Sequence, residues 1–305
     1  MFVLIARRLL EIVPVLFVIA TITFFLVRLA PGGPFSDDRN VSPEVLANLE
    51  AHYGLDKPLI EQYFAFLKNL AKGDLGPSFQ YQGRTVNELI ANAFPISVEL
   101  GFYALLIALF FGLIAGILAS LRPNTKLDYV PMSLAMVGIC FPTFVLGPIL
   151  VLVFAIWLGW FNASGWLLPS DRILPAITLG AFYAAYVARL ARGNMIEILA
   201  QDFVRTARAK GLKESIVVLK HALRVGILPV VSFLGPAAAG LVSGSFVVET
   251  VFNIPGLGRF FVQSAFNRDY GLIVGSVLFY ASLIVLLNLL VDLLQIILNP
   301  KVRYE

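Results

Sequence analysis

Long apolar runs leave this chain little choice of architecture. They lie at roughly Leu9–Leu29, Ile96–Leu121, Val130–Leu158, Ile173–Leu190, Ile227–Val248 and Leu272–Leu298. A bilayer core supplies no water to backbone N–H and C=O groups, so a spanning segment has to satisfy them internally, and about 20 apolar residues do so as a helix. Composition agrees: of 305 residues, 59% are hydrophobic and 14% charged, with a mean hydropathy of +0.85. Soluble domains carry about 25% charged residues, so this chain could not cover itself in water. The expected fold class is all-α, a polytopic membrane protein with six transmembrane helices. Arg7 and Arg8 precede the first run as they would in a secretory signal. That run is too long, and Arg28-Leu29-Ala30-Pro31 makes a poor cleavage site, so it is expected to be retained.

Basic residues in the short loops set the orientation. Arg7 and Arg8 place the N-terminus inside, as do Arg122 and Lys126 for the second loop and Lys301 and Arg303 for the C-terminus. The loop 31–94 holds five basic residues against eight acids and is expected outside, with the loop around Asp171 and Arg172. Both termini are then cytoplasmic, and the mildly basic fifth loop, with Arg259 and Arg268, is the exception. The net charge of +4 reports this topology and not nucleic-acid binding. Three parts follow: an N-terminal membrane helix (1–30), an external helical subdomain (31–94), and a five-helix core (95–305) with a cytoplasmic loop at 193–226. The lone Cys140 lies in an apolar run, so the external loop folds without a disulfide.

That cytoplasmic loop stands out. From Arg189 to Arg224, the stretch that leads into it and runs through it carries eight Lys or Arg against three acids, Glu197, Asp202 and Glu214. Phe203 to Lys210 makes two helical turns with Arg205 and Arg208 on one face, and Gly211 ends them in a left-handed conformation. Leu212, Ile216, Leu219 and Leu223 then recur at helical spacing, predicting an amphipathic helix up to Pro229. Outside, Ser42 caps a helix from Pro43 to Gly54, another begins at Pro58, and Thr85 with Glu88 forms a capping box for a third. This subdomain reads equally well as a docking surface and as a lid packed on the bundle. His52 reads as a solvent-facing helix end.

Within the runs, Ala108, Gly112, Gly116 and Ser120 in the second, and Ser232, Pro236, Gly240 and Gly244 in the fifth, put a small residue or proline at every fourth position. Such stripes let helix backbones approach closely, and bundle packing is the first reading; the fifth is also a candidate wall of a membrane path. Gly138, Pro142, Gly147 and Pro148 interrupt the third run. Proline bends a helix and frees backbone groups, which inside a bilayer must face protein or water. Pro142 and Pro148 are therefore gate candidates, with kinked packing as the alternative. Charge at mid-bilayer costs about 3 kcal/mol or more, and coupled carriers keep it there for function. Here Glu11, Arg28, Glu99 and Glu249 fall near segment ends, and Asp292 lies within two turns of one. This distribution disfavours a proton-coupled peptide carrier, which stays as the alternative from another class.

Thr206-Ala207-Arg208-Ala209-Lys210-Gly211, followed by His221-Ala222-Leu223 and Ile227-Leu228-Pro229, resembles the cytoplasmic signature of permease subunits of binding-protein-dependent ABC importers. Arg205 and Thr206 stand where the general pattern has Glu and Ala, and the gap from Gly211 to Pro229 is longer than usual. Ala30-Pro31-Gly32-Gly33-Pro34, Gly73-Asp74-Leu75-Gly76-Pro77-Ser78, Glu249-Thr250-Val251-Phe252 and Ile254-Pro255-Gly256-Leu257-Gly258 extend the likeness over nearly the whole chain. The likeness is greatest to the B-type permeases of the peptide branch.

The resemblance implies a type I importer fold in a bacterial inner membrane, surrounded by lipid. It implies a homologous second permease, two ABC ATPase subunits that bind ATP and Mg, and an external peptide-binding protein. Residues Asp202, Phe203, Arg205, Thr206, Ala207, Arg208, Ala209, Lys210 and Gly211 would then couple to the ATPase. Gly73, Asp74, Glu249, Pro255 and Gly256 would dock the binding protein. Related permeases for dipeptides or nickel share these signatures. The chain has no G-x-x-x-x-G-K-[ST] phosphate cradle, and its two histidines and one cysteine are too few for a Cys/His metal site. It is expected to hold no cofactor and to be no enzyme by itself.

Overall fold

The computed structural model describes residues 2–35, 43–242 and 246–298. Among them the regular structure is helical: α1 Phe2–Leu29, α2 Pro43–His52, α3 Leu59–Leu70, α4 Val86–Leu121, α5 Lys126–Cys140 and α6 Thr143–Trp157. These are followed by α7 Ile173–Leu199, α8 Asp202–Ala209, α9 Glu214–Gly226, α10 Leu228–Val242, α11 Phe246–Val251, α12 Leu257–Phe266 and α13 Tyr270–Leu298. Four helices are long and apolar enough to cross a membrane by themselves: α1, α4, α7 and α13. Two bent pairs, α5 with α6 and α9 with α10, bring the number to as many as six where each pair counts as one span.

The third run is not a kinked helix but two helices meeting at 108°. Phe141 is extended and Pro142 caps α6, so the proline closes a break rather than bending a continuous rod. A second departure lies at Thr85. Its hydroxyl accepts from the Glu88 N–H at 3.2 Å while the Glu88 carboxylate accepts from the Thr85 N–H at 3.3 Å, the expected box. The helix it starts does not stop before the second apolar run but continues through Pro95 as α4, 36 residues and about 54 Å long.

The chain divides into two compact units. The first comprises residues 1–97 and 255–285. In it α3 is fastened to α1: Tyr63 and Thr21 share a hydroxyl hydrogen bond of 2.7 Å, the Arg28 guanidinium donates to Gln62, and Phe24 stacks on Phe66. Val86, Leu89, Ile90 and Ala93 of α4 pack with Leu257 and Leu272. A buried hydrogen bond from Ser78 to Asp269 anchors the 73–78 segment, and Asp269 also accepts from the Leu272 N–H at the start of α13.

The second unit comprises residues 98–254 and 286–305. Its centre is α7. The small-residue stripe of α4 lies on it so closely that a Cβ on Gly112 would sit 2.7 Å from the Ala184 carbonyl, and one on Gly116 2.6 Å from that of Ala188. The packing reading of this stripe holds. Gly138 of α5 meets Ala181 of α7 in the same way. Arg192 of α7 donates twice, each at 2.6 Å, to Asp128 of α5, whose side chain is 2% exposed. Asn124, in the left-handed region, directs its N–H to the same carboxylate. Arg172, lying over Trp166, joins the 159–172 loop to Glu99 of α4.

Candidate coupling element and membrane path

The basic island folds as a short finger. Asp202–Ala209 is helical, with Asp202 in the first turn and Arg208 in the last, both favourable to the helix dipole. Gly211, at φ +76°, ends it as expected, and the Lys210 and Gly211 N–H groups bond back to Thr206 and Arg208. Val204 and Ala207 are buried against Met195 and Ile198 of α7 and Val217, Val218 and Ala222 of α9. Asp202, Phe203, Arg205, Thr206, Arg208, Ala209, Lys210 and Gly211 remain exposed. Arg205 meets Asp202 at 3.4 Å across one turn, whereas Arg208 grips Glu214 with two bonds of 3.1 and 2.7 Å. The Glu214 carboxylate holds the Arg208 guanidinium above its ordinary pKa. The finger is thereby clasped to α9 on both sides of the glycine turn.

The predicted stripe on the following helix does not face inward. Leu212, Ile216 and Leu219 are exposed, Leu219 by 60%, while Val217, Val218 and Ala222 are buried and Leu223 is half-buried. Leu212 and Ile216 precede the π-helical stretch over Val217–Ala222, whose wider turn offsets Leu223 from them, so the four predicted positions do not share one face. The result is an apolar edge (Phe203, Leu212, Ile216, Leu219) beside the exposed basic residues of α8.

The finger is also tied to the membrane spans. α9 and α10 meet at 53° at Ile227. There the Asn194 side-chain amide donates to the Gly226 carbonyl at 2.8 Å, and Gly226 lies against Met195 with no room for a Cβ. Both partners are on α7, about two turns before the finger.

The path and gate candidates scatter. Pro142 sits exposed at the α5–α6 break, and Pro148 is exposed inside α6 just ahead of the π-helical Val151–Trp157. Ser232 and Pro236 are exposed on α10, and the Ser232 hydroxyl bonds back to Leu228. Gly240 lies against the Tyr183 hydroxyl of α7. Gly244 and the side chains of Glu11 and Asp292 fall outside the described residues.

Of the docking candidates, Gly73, Asp74 and Pro255 are exposed, Gly256 is the buried cap of α12, and the Glu249 side chain is fully buried. Gly73, at φ +77°, opens into free space, and Asp74 accepts from the Gly76 N–H. Reasoning on sequence missed the Asp128–Arg192 pair and the Ser78–Asp269 bond. Asp269 carried a signal, since it directly precedes a helix; Asp128 carried none beyond its place in a first turn. His52, at the end of α2, is exposed as expected.

Comparison with known proteins follows the same lines. Residues 94–304 match the family described as the inner membrane component of binding-protein-dependent transport systems, and residues 1–101 match its N-terminal companion. The oligopeptide transport system permease OppB of Haemophilus influenzae is 50% identical over 300 residues, 98% of each chain. That of Escherichia coli K12 is 47% identical over 302 residues, 98% of this chain and 99% of its own. The dipeptide permease DppB of Bacillus subtilis is 43% identical over 286 residues, 94% of this chain and 93% of its own. Among solved structures, a MetNI methionine ABC transporter chain in an inward-facing conformation aligns with a TM-score of 0.58. It shows 18% identity, over 69% of this chain and 96% of that one, which makes the likeness one of fold.

Proposed function

This chain belongs to the inner membrane components of binding-protein-dependent transport systems, and on that premise we propose that it is one of two permeases in an ATP-driven oligopeptide importer. Two ATPase subunits, binding ATP and Mg, supply the energy. An external protein delivers peptide at surfaces that include the exposed Gly73, Asp74 and Pro255, whereas the buried Glu249 and Gly256 lie beneath the surface and do not touch it. Both termini lie in the cytoplasm. The exposed face of Asp202–Gly211 seats in a groove of an ATPase subunit, with Phe203 and the apolar edge of α9 as its anchor and Arg205 and Lys210 on the rim.

The observation that carries this reading is the clasp. A finger buried through Val204 and Ala207 and bound by Arg208 to Glu214 moves with α9 as one body, and the Gly226–Asn194 joint passes that motion to α7 and α10. Two arrangements of the spans, biased by nucleotide state, then give alternating access past Pro142, Pro148, Ser232, Pro236, Gly240 and Gly244.

Co-purification tests it. The complex is expected to contain two ATPase subunits and a second permease, and Phe203→Asp with Leu219→Asp is expected to release the ATPases. Recovery of no ATPase subunit with the unaltered chain overturns the reading. Dipeptide-sized substrates form the second reading, favoured by the Bacillus subtilis relative. Uptake of a length series of peptides into proteoliposomes separates the two.

A further inference from the structure

Down α7, the residues left exposed or half-covered by the rest of the second unit include Phe182, Tyr186, Arg189, Gly193 and Glu197. Their spacing of four, three, four and four residues puts them on one face. Ala181, on one flank of that face, packs on Gly138 of α5; Tyr183, on the other, packs on Gly240 of α10. The stripe therefore runs along a furrow between α5 and α10. Phe233 of α10 stacks on Tyr186 with ring centroids 5.7 Å apart, and next to Gly193 the furrow is open.

Arg189 is the unexplained group in it. Among the described residues no carboxylate lies within ion-pair distance of its guanidinium. It lies instead 5.9 Å from the Tyr186 ring and 3.3 Å from the Met136 sulfur. Asp128, beside the turn that joins α4 to α5, is eight residues before Met136 on α5. At helical rise the Arg189 guanidinium thus reaches about 12 Å into the span from that level. A cation at such a depth requires water or an acceptor, and tyrosines away from the membrane interface do not belong against lipid tails.

We propose that this furrow is a wall of the peptide path and that Arg189 takes the terminal carboxylate of the peptide in transit, while Phe182, Tyr186 and Phe233 offer rings to its side chains. This rests on the peptide-import reading above. Peptides differ in every side chain, but an unmodified one always carries a terminal carboxylate. A guanidinium grips that group bidentately without reference to sequence, and flat rings accept apolar and polar neighbours alike.

The test uses the whole transporter in proteoliposomes, saturated with binding protein, and one tripeptide as free acid and as C-terminal amide. Loading of each on the binding protein is measured first, so that delivery is equal. The unaltered transporter is expected to move the acid faster. Arg189→Gln is expected to lower the acid-to-amide ratio of rates about tenfold, the effect of losing one charge-assisted contact, and Arg189→Lys to restore most of it. An unaltered transporter that does not discriminate, or a ratio unchanged by Arg189→Gln, overturns the proposal. So does loss of the second permease from Arg189→Gln, since that assigns Arg189 to a subunit contact. ATP dependence of uptake by the unaltered transporter is read in the same assay. Its absence sinks the import reading, whereas its presence with an unchanged ratio sinks this inference alone.

Discussion

Asp128 and Arg192 form a pair whose two ends are unequally exposed, and that inequality has a measurable sign. The Asp128 side chain is 2% exposed and Arg192 31%, and both bonds between them are 2.6 Å. Removing one member of a buried pair costs about 3–5 kcal/mol, mostly from the charge left behind. After Asp128→Ala the stranded guanidinium swings to water, and the cost falls to about 2 kcal/mol. After Arg192→Ala the stranded carboxylate keeps only the Asn124 N–H and has no route out, so the cost is about 4 kcal/mol. Asp128→Ala with Arg192→Ala leaves no charge unpaired and costs less than the sum of the two by about 2 kcal/mol. The assay is equilibrium unfolding of the purified chain in mixed micelles, with all four forms on one denaturant axis. Equal costs, a larger cost for Asp128→Ala, or strict additivity would refute the reasoning from burial.

Gly211→Val strains the left-handed turn by about 1–2 kcal/mol, whereas Gly211→Asn, which tolerates that conformation, costs less. Transport-coupled ATP hydrolysis should fall in that order while ATPase association persists. Gly116→Ala forces a Cβ to within 2.6 Å of the Ala188 carbonyl and is expected to destabilise by about 1–3 kcal/mol. Gly193→Ala, with nothing within 4 Å, is expected to stabilise α7 by about 0.5–1 kcal/mol, and unfolding midpoints in detergent check both. Ser78→Ala leaves the buried Asp269 carboxylate only the backbone N–H groups of Gln80 and Leu272 and is expected to cost about 1 kcal/mol, read as faster proteolysis of the 73–84 segment in intact membranes.

Much of this was legible in the chain because it depends on local chemistry. Apolar runs of spanning length, the reciprocal Thr85–Glu88 cap and the glycine at 211 each act within a few residues, and each appears where expected. The 108° break at Phe141–Pro142 was legible as a bend but not as an angle, because the angle is set by what α6 packs on: Gly147 lies against Val251, Phe252 and Thr178. The apolar stripe on α9 was legible, but which side of the helix packs inward was not, because burial falls on Val217, Val218 and Ala222 within a π-helical stretch that departs from the 3.6-residue period. Asp128–Arg192 and Ser78–Asp269 join residues 64 and 191 positions apart, and no local rule links residues so far apart in sequence. Arg189 was counted with the cytoplasmic basic residues because it stands next to the end of the apolar run at Leu190, but its helix continues to Leu199.

The seam between α4 and α7 has Ile107, Gly112 and Gly116 on one side and Gly180, Ala184, Val187, Ala188 and Ala191 on the other. Val187 over Gly112 and Ile107 over Gly180 are knobs seated in glycine holes, so sliding one helix past the other would unseat both. α5 is bolted to α7 by the Asp128 carboxylate, and Arg172, at the start of α7, holds Glu99 of α4. When the finger is pushed, α5, α7 and the stretch of α4 packed on them should travel as one plank, and the movement is taken up at the edges of this trio instead of by shear within it.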